Sequence, residues 1–287
     1  TFWSAPARPA PPSAGSTVRF NTVRTDIRLC CPASRRMDSY TWLAHSYDRL
    51  TADVDYSRWA DYLEWHFGRQ AVPVRTVVEL ACGTGSLTRI LAERGYEMTA
   101  VDLSADMLSF AAQKCQDLPV LFLCQDMSRL TLLEQADAVV CCLDSVNYVT
   151  RPAALRRAFQ RVYRYLKPGG LFLFDAKTPQ ALEEADGQVY LDETEEVYCV
   201  WRGEYHPKRR ICGYGIDLFC RRADGTWDRE GEYHEEYAYA PEELEAFLRD
   251  AGFAWVKQYG DLKRRAPKAG EMRIFFAAGK ETKQSNG

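Results

Sequence analysis

Apolar positions fall into two alternating rhythms along this chain. Short apolar runs at RTVVEL (75–80), EMTAVDL (97–103), PVLFLC (119–124), DAVVCCL (137–143) and GLFLFDA (170–176) have the length and two-sided character of parallel strands buried on both faces. Between them the spacing turns helical: Leu87, Ile90 and Leu91 before a terminating Gly95, then Met107, Leu108, Ala111 and Ala112, and later Leu155, Phe159, Val162 and Leu166. An earlier helical face, Trp59, Leu63 and Phe67 in YSRWADYLEWHF, is closed off by Pro73. Repeated strand–helix units predict an α/β fold, a doubly wound parallel sheet.

After the fifth run the rhythm changes. EEVYCVWRGEY, RRICGYGIDLFCRR and GTWDREGEYHEEYAYA are strand-like, and the Asp-Gly of ADGT is a hairpin signal, so an antiparallel insertion is expected over 188–239. It forms a lid lined by Trp201, Tyr205, Tyr214 and Tyr237, or those aromatics simply pack the sheet on its neighbour. Pro241 opens a helix with Leu244, Phe247, Leu248 and Ala251 on one face and Gly252 as its stop, and strands near 254–259 and 272–278 complete the pattern. The expected organisation is one domain over 37–280 carrying an inserted cap, with a flexible tail at 281–287. Residues 1–36, Pro/Ala-rich and then Arg-rich with one acid, are set apart from it as a disordered or extraneous extension, a transit peptide being the alternative.

Composition narrows the class. A hydrophobic fraction of 46% over 287 residues supplies a sizeable core, and a net charge of -3 gives no general attraction to nucleic acid or an anionic membrane. The absence of an apolar run of about 18 residues leaves a membrane span unsupported. Several of the ten cysteines (Cys82, Cys124, Cys141, Cys142, Cys220) lie in apolar runs without metal or redox spacing, which reads as buried free thiols in a reducing cytoplasm, with no metal site.

The turn in VVELACGTGSLTRILAERG (77–95) carries the chemistry. It joins the first strand to a helix, at the edge where open α/β sheets bind ligands. Gly83 and Gly85 permit a tight bend and close backbone approach, and Asp102, ending the second strand, can accept hydrogen bonds from ribose hydroxyls. Either feature alone is also an ordinary structural one; together they describe a nucleoside site. Thr88 stands where a dinucleotide fingerprint needs its third glycine, and there is no phosphate-loop motif, which disfavours pyrophosphate ligands.

VVELACGTGSLT resembles motif I of the class I S-adenosylmethionine-dependent methyltransferases, and VDLSADMLSFA resembles their second motif. The likeness continues through CQDM, ADAVVCCLDSVNYV, LKPGGLFLFDA and EMRIFFAAGK, and so spans Met37 to Lys280; Ala81 stands where the family often has glycine. The resemblance implies a Rossmann-like seven-stranded methyltransferase sheet with the antiparallel β insertion after strand 5, and S-adenosylmethionine as cofactor. It implies that Glu79 and the backbone from Ala81 through Gly83 to Gly85 hold the methionine moiety and Asp102 the ribose. Met107 would lie at the adenine face, Asp126 would accept from the adenine amino group, Leu143 would offer a backbone carbonyl to the ammonium, and Leu103 and Met127 would be further cofactor-binding residues. Met107 as a core residue and Asp126 as a helix cap are the plain alternatives.

Methyl transfer from a sulfonium needs positioning more than a nucleophile or metal. Where the acceptor must lose a proton, Asp144, Asn147, His206 and His234 are candidates, and in similar small-molecule methyltransferases a tyrosine matching Tyr47 of HSYDRL lies over the cofactor, with Tyr56 and Trp59 nearby. CLDSVNY lacks the Asp/Asn-Pro-Pro-aromatic motif of amino-methylating DNA enzymes and the Pro-Cys pair of the cytosine C5 class. A small-molecule N or O acceptor is therefore expected, against a tRNA or rRNA methyltransferase suggested by KRRAPK (263–268) and a non-catalytic cofactor-binding assembly protein.

Overall fold

The computed structural model describes Asp48, Thr51 and residues 53–282. Six helices lie along it: α1 (Tyr56–Phe67), α2 (Ser86–Glu93), α3 (Ala105–Lys114), α4 (Pro152–Tyr165), α5 (Pro179–Glu184) and α6 (Pro241–Ala251). The strands are β1 (Thr76–Leu80), β2 (Glu97–Asp102), β3 (Val120–Cys124), β4 (Ala136–Cys141), β5 (Leu166–Lys177), β6 (Val189–Glu193), β7 (Val197–His206), β8 (Ile211–Arg221), β9 (Trp227–Tyr237), β10 (Trp255–Gly260) and β11 (Arg273–Gly279). Seven of them make one sheet in the order β10-β11-β5-β4-β1-β2-β3, and β6 to β9 make a second, antiparallel sheet inserted after β5.

Local signals start and stop the helices. Asp55 accepts from Arg58 N at 3.0 Å to cap α1, and Ser104 accepts from Met107 N at 3.2 Å to cap α3. Prolines occupy the first turn of α4, α5 and α6, and Gly252 ends α6 at φ 107°. The apolar stripe of α4 (Leu155, Phe159, Val162) and that of α6 pack on one face of the sheet against Phe172, Phe174 and Phe276, while α1 and α2 cover the other face through Leu63, Phe67, Leu87 and Leu91. Each such large side chain removed from water contributes about 1.5–3 kcal/mol.

Two expectations are corrected here. The sheet is mixed, because β11 runs antiparallel to β5 and β10, with Phe276 opposite Phe174. β3 is not buried on both faces: it is the sheet edge, and Leu121 and Cys124 are exposed. Cys124 and the half-buried Cys220 therefore depart from the buried-thiol reading, which Cys82, Cys141 and Cys142 follow. Of the terminal segments, residues 1–36 and 283–287 lie outside the described residues. Among the described residues no helix is long and apolar enough to cross a membrane.

The second sheet has its own core, in which Cys199, Trp201, Tyr214, Ile216 and Leu218 pack against Leu182 and Ala185. Trp201 and Tyr214 are buried there, so packing rather than lid lining accounts for them, and Tyr237 stacks near Tyr239 against the main core. Gly203 makes the seating possible, since a Cβ on it would collide with the Ala185 carbonyl oxygen. Gly203→Ala should cost about 1–3 kcal/mol by overpacking, read as a lower urea midpoint in equilibrium denaturation at unchanged secondary-structure content.

Candidate active site

After β1 the backbone turns through left-handed conformations at Ala81 (φ 54°), Gly83 (φ 54°) and Gly85 (φ 76°). Gly85 heads α2, where a Cβ would press on Ala111. Ala81 adopts the conformation that glycine takes without penalty, at a cost of about 1–2 kcal/mol for an L-residue. Asp102 holds the turn with both oxygens: Oδ2 accepts from Gly83 N at 2.8 Å and Oδ1 from Ser104 N at 2.9 Å. The carboxyl ends of β1 and β2 are thereby tied together beneath an open space.

That space is a cleft of about 490 Å³. Ala81, Gly83, Asp102, Leu103, Met107, Asp126, Met127 and Leu143 all line it, and a smaller adjoining recess takes in Glu79, Tyr56 and Ser86. Gly85 lines neither and acts through the bend it allows. Met107 is buried as well as lining, and Asp126 Oδ1 accepts from Ser128 N at 2.7 Å, so the capping alternative for Asp126 holds alongside its place at the cleft. Ser145, Tyr148 and Val149, from the loop after β4, complete the wall. They were missed as site residues, although the rule placing ligands at strand carboxyl ends points to that loop.

Electrostatically the floor is acidic. Burial pushes the Glu79 carboxyl up to about 8 despite the hydrogen bond it receives from the Thr88 hydroxyl, with Asp102 adding repulsion. Burial also raises Asp102, opposed by the backbone donors of Ser104 and Gly83.

The proposed proton acceptors are dispersed. Asp144 is fully buried, with Lys177 Nζ at 2.9 Å and Arg273 Nη1 at 2.8 Å. Burial alone would raise its carboxyl, but Lys177 and Arg273 outweigh that and hold it low, which suits a structural anion better than a base. Asn147 is buried too, its amide bridging the Lys177 and Tyr237 carbonyls at 3.2 and 3.0 Å. His206 is half-exposed beside Glu204, at 3.8 Å, and does not line the cleft. His234 is buried on β9 with Nε2 2.9 Å from Glu232 Oε2, and its ring lies edge-on to the cleft-lining Tyr148 at 6.1 Å between centroids, so it sits behind that wall without lining the cleft. Trp59 packs on Phe275 in the core, away from both recesses. Tyr47 lies outside the described residues.

Known proteins are similar to this chain in sequence and fold. The methyltransferase-domain family model matches residues 77–170. YqeM of Bacillus subtilis (strain 168), named as a methyltransferase, is 34% identical over 84% of this chain and 97% of its own length. A crystal structure of an S-adenosylmethionine-dependent methyltransferase from Clostridium acetobutylicum ATCC 824 superposes with a TM-score of 0.77 at 31% identity, covering 84% of this chain and 99% of that one. The chain belongs to the class I S-adenosylmethionine-dependent methyltransferases. The sugar N-methyltransferase KedS8 from Streptoalloteichus sp ATCC 53650, with a TM-score of 0.71 at 20% identity over 95% of this chain and all (100%) of its own, shares the fold. The methyltransferase is thus an enzyme whose methyl donor is S-adenosylmethionine.

Glu79 gives the methyltransferase a pH signature. Its folded pKa of about 8 lies above the ordinary 4.5, so the folded chain holds a proton that the unfolded chain has released. The resulting stabilisation is full below about pH 4.5 and is lost as pH rises toward 8. Glu79→Gln should flatten that part of the profile: the stability difference between variant and wild type, from urea melts at pH 5 to 8, should move in the variant's favour as pH rises.

Proposed function

We propose that the methyltransferase binds S-adenosylmethionine in the cleft between the β1 turn and the loop after β4, and transfers its methyl group to a small-molecule nitrogen or oxygen acceptor beside Tyr148. The carrying observation is that the turn, Asp102, Met107 and Asp126 line one continuous cleft. Its size falls within the range of small-ligand sites, and its donors and acceptors fit the cofactor's parts. Asp102, already turned toward the cleft, offers acceptors to ribose hydroxyls; Asp126 offers one to an exocyclic amine; Met107 and Leu103 offer apolar surface to a purine; and Glu79 with the glycine backbone faces the amino-acid end. Bound there, the cofactor supplies a methyl already activated for displacement, so orientation and exclusion of water carry most of the rate.

Nitrogen is the favoured acceptor atom. Strand alternation puts Glu230, Glu232, His234 and Glu236 of β9 on the face that carries Trp201 and Tyr214, and His234 reaches Tyr148 at the cleft wall. Carboxylates near the cleft-lining Tyr148 ring suit a basic amine, and the Glu232–His234 pair is our candidate to take its proton. KedS8 and the glycopeptide N-methyltransferase MtfA, both named for nitrogen acceptors, share the fold. KRRAPK supports the RNA reading less than its composition suggests, since Arg265 is paired with Glu271 at 2.6 Å and Arg264 lies over the Trp65 ring at 5.3 Å, although its basic residues stay exposed.

Asp102→Ala should weaken S-adenosylmethionine binding by about 1.5–3 kcal/mol, roughly ten- to a hundredfold, in calorimetry on protein shown to be folded by thermal melting. Unchanged affinity in a folded variant would remove Asp102 from the site. A screen of matched amines and alcohols, cyclohexylamine with cyclohexanol and glucosamine with glucose, read by S-adenosylhomocysteine release and product mass, should favour the amines. Methylation of transfer RNA with none of the small molecules would turn the assignment to RNA.

A further inference from the structure

Leu143 and Asp144, directly after β4, both sit in the left-handed region (φ 58° and 51°). Neither is glycine, and two successive strained residues persist only where their surroundings over-determine them. Leu143 lines both the cleft and its adjoining recess, so the shape of this turn is part of the cofactor site. What holds it is a buried charge cluster. Asp144 N donates to Asp175 Oδ2 at 2.8 Å, and Arg273 bridges Asp144 and Asp175. Lys177 Nζ lies 2.9 Å from Asp144 Oδ2 and 2.9 Å from Glu236 Oε1.

Glu236 belongs to the inserted sheet, on β9. A second tie runs parallel to the first: Tyr237 N donates to the Asn147 carbonyl at 2.7 Å, Asn147 Nδ2 donates to Tyr237 O at 3.0 Å, and Lys177 N donates to Asn147 Oδ1 at 3.0 Å. The β4 turn therefore reaches the insertion through Lys177 and Asn147, while Glu236 lines neither recess.

We propose that Lys177 is a positioning residue that couples the inserted sheet to the cofactor turn, its ion pairs with Asp144 and Glu236 making the seating of β9 set the conformation of Leu143–Asp144 and hence cofactor affinity. The proposal rests on the cleft being the cofactor site. Occupation of the insertion by an acceptor and occupation of the cleft by the cofactor are then linked, and by reciprocity each strengthens the other.

Burial raises the Glu236 carboxyl to about 7, so Glu236→Gln, which leaves the cleft lining untouched, is tested against S-adenosylhomocysteine by calorimetry at about pH 8, where the carboxyl is ionised. The dissociation constant should rise about tenfold, Glu236→Asp should recover part of the loss, and Glu236→Gln combined with Asp144→Asn should weaken binding less than the product of the single effects, because the sites share Lys177. Phe159→Leu, which loosens the α4 core on the sheet, gives the control for general destabilisation and should leave the affinity unchanged. Wild-type affinity in a folded Glu236→Gln protein would overturn the coupling while the cleft assignment stood. An Asp102→Ala protein that is folded and equally unaffected would overturn the cleft assignment, and the coupling with it. Equal weakening by Phe159→Leu would show loss of stability rather than coupling, and would also overturn the proposal.

Discussion

Strand β1 pairs in parallel with β2 on one side and with β4 on the other. The chains leaving β1 and β4 must then cross to opposite sides of the sheet, and the space between their first turns cannot be filled by either. The features of the site follow from that constraint. The glycine turn stays low because Asp102, at the end of the neighbouring strand, binds its backbone, and the turn after β4 forms the facing wall. The cleft is a property of strand order before it is a property of any side chain.

Charge is handled differently in the two halves of the site. Around the β1 turn, Glu79 is buried and Asp102 half-buried, no cation pairs with either among the described residues, and burial raises both. A cationic ligand entering there meets acceptors that are poorly solvated and correspondingly strong. Below the β4 turn, three carboxylates are interleaved with Lys177 and Arg273, and both cations are held above their ordinary ranges because Asp144 and its neighbours outweigh the cost of burial. Removing Lys177 or Arg273 from such a cluster leaves a buried carboxylate without its cation, which typically costs about 3–5 kcal/mol. The first arrangement suits binding, and the second suits fixing a backbone that is otherwise strained.

The inserted sheet extends the same logic. Its interior is a small hydrophobic core around Trp201 and Tyr214, which stabilises the sheet as a unit against α5. Its connection to the main sheet runs through β9, which carries Glu232, His234 and Glu236 on the face where β7 and β8 carry apolar residues. An apolar body with a polar margin gives rigid packing on one side and a charged link to the main sheet on the other.

Much of this was written in the chain itself. The apolar runs and helical stripes placed every strand of the main sheet, since a strand buried in a parallel sheet must be apolar and a helix covering it must be amphipathic. The places of the glycine turn, Asp102 and Asp126 at the cleft were legible because they depend on position relative to a strand end, which sequence spacing records. Tertiary structure alone decided the rest. That β3 is an edge, leaving Leu121 and Cys124 exposed, depends on strand order rather than composition. Asp144 and Asn147 read as crevice residues because they follow β4, yet only the approach of Lys177, Arg273 and Tyr237, from 30 to over 120 positions away in the chain, turns them into a buried brace. His234, one of two histidines that sequence could only name as candidates, is told apart from His206 by the folding of β9 onto the loop that carries Tyr148. Local pattern fixes what each segment becomes, because propensity and burial act on near neighbours; which charges meet is settled by contacts that no local pattern encodes.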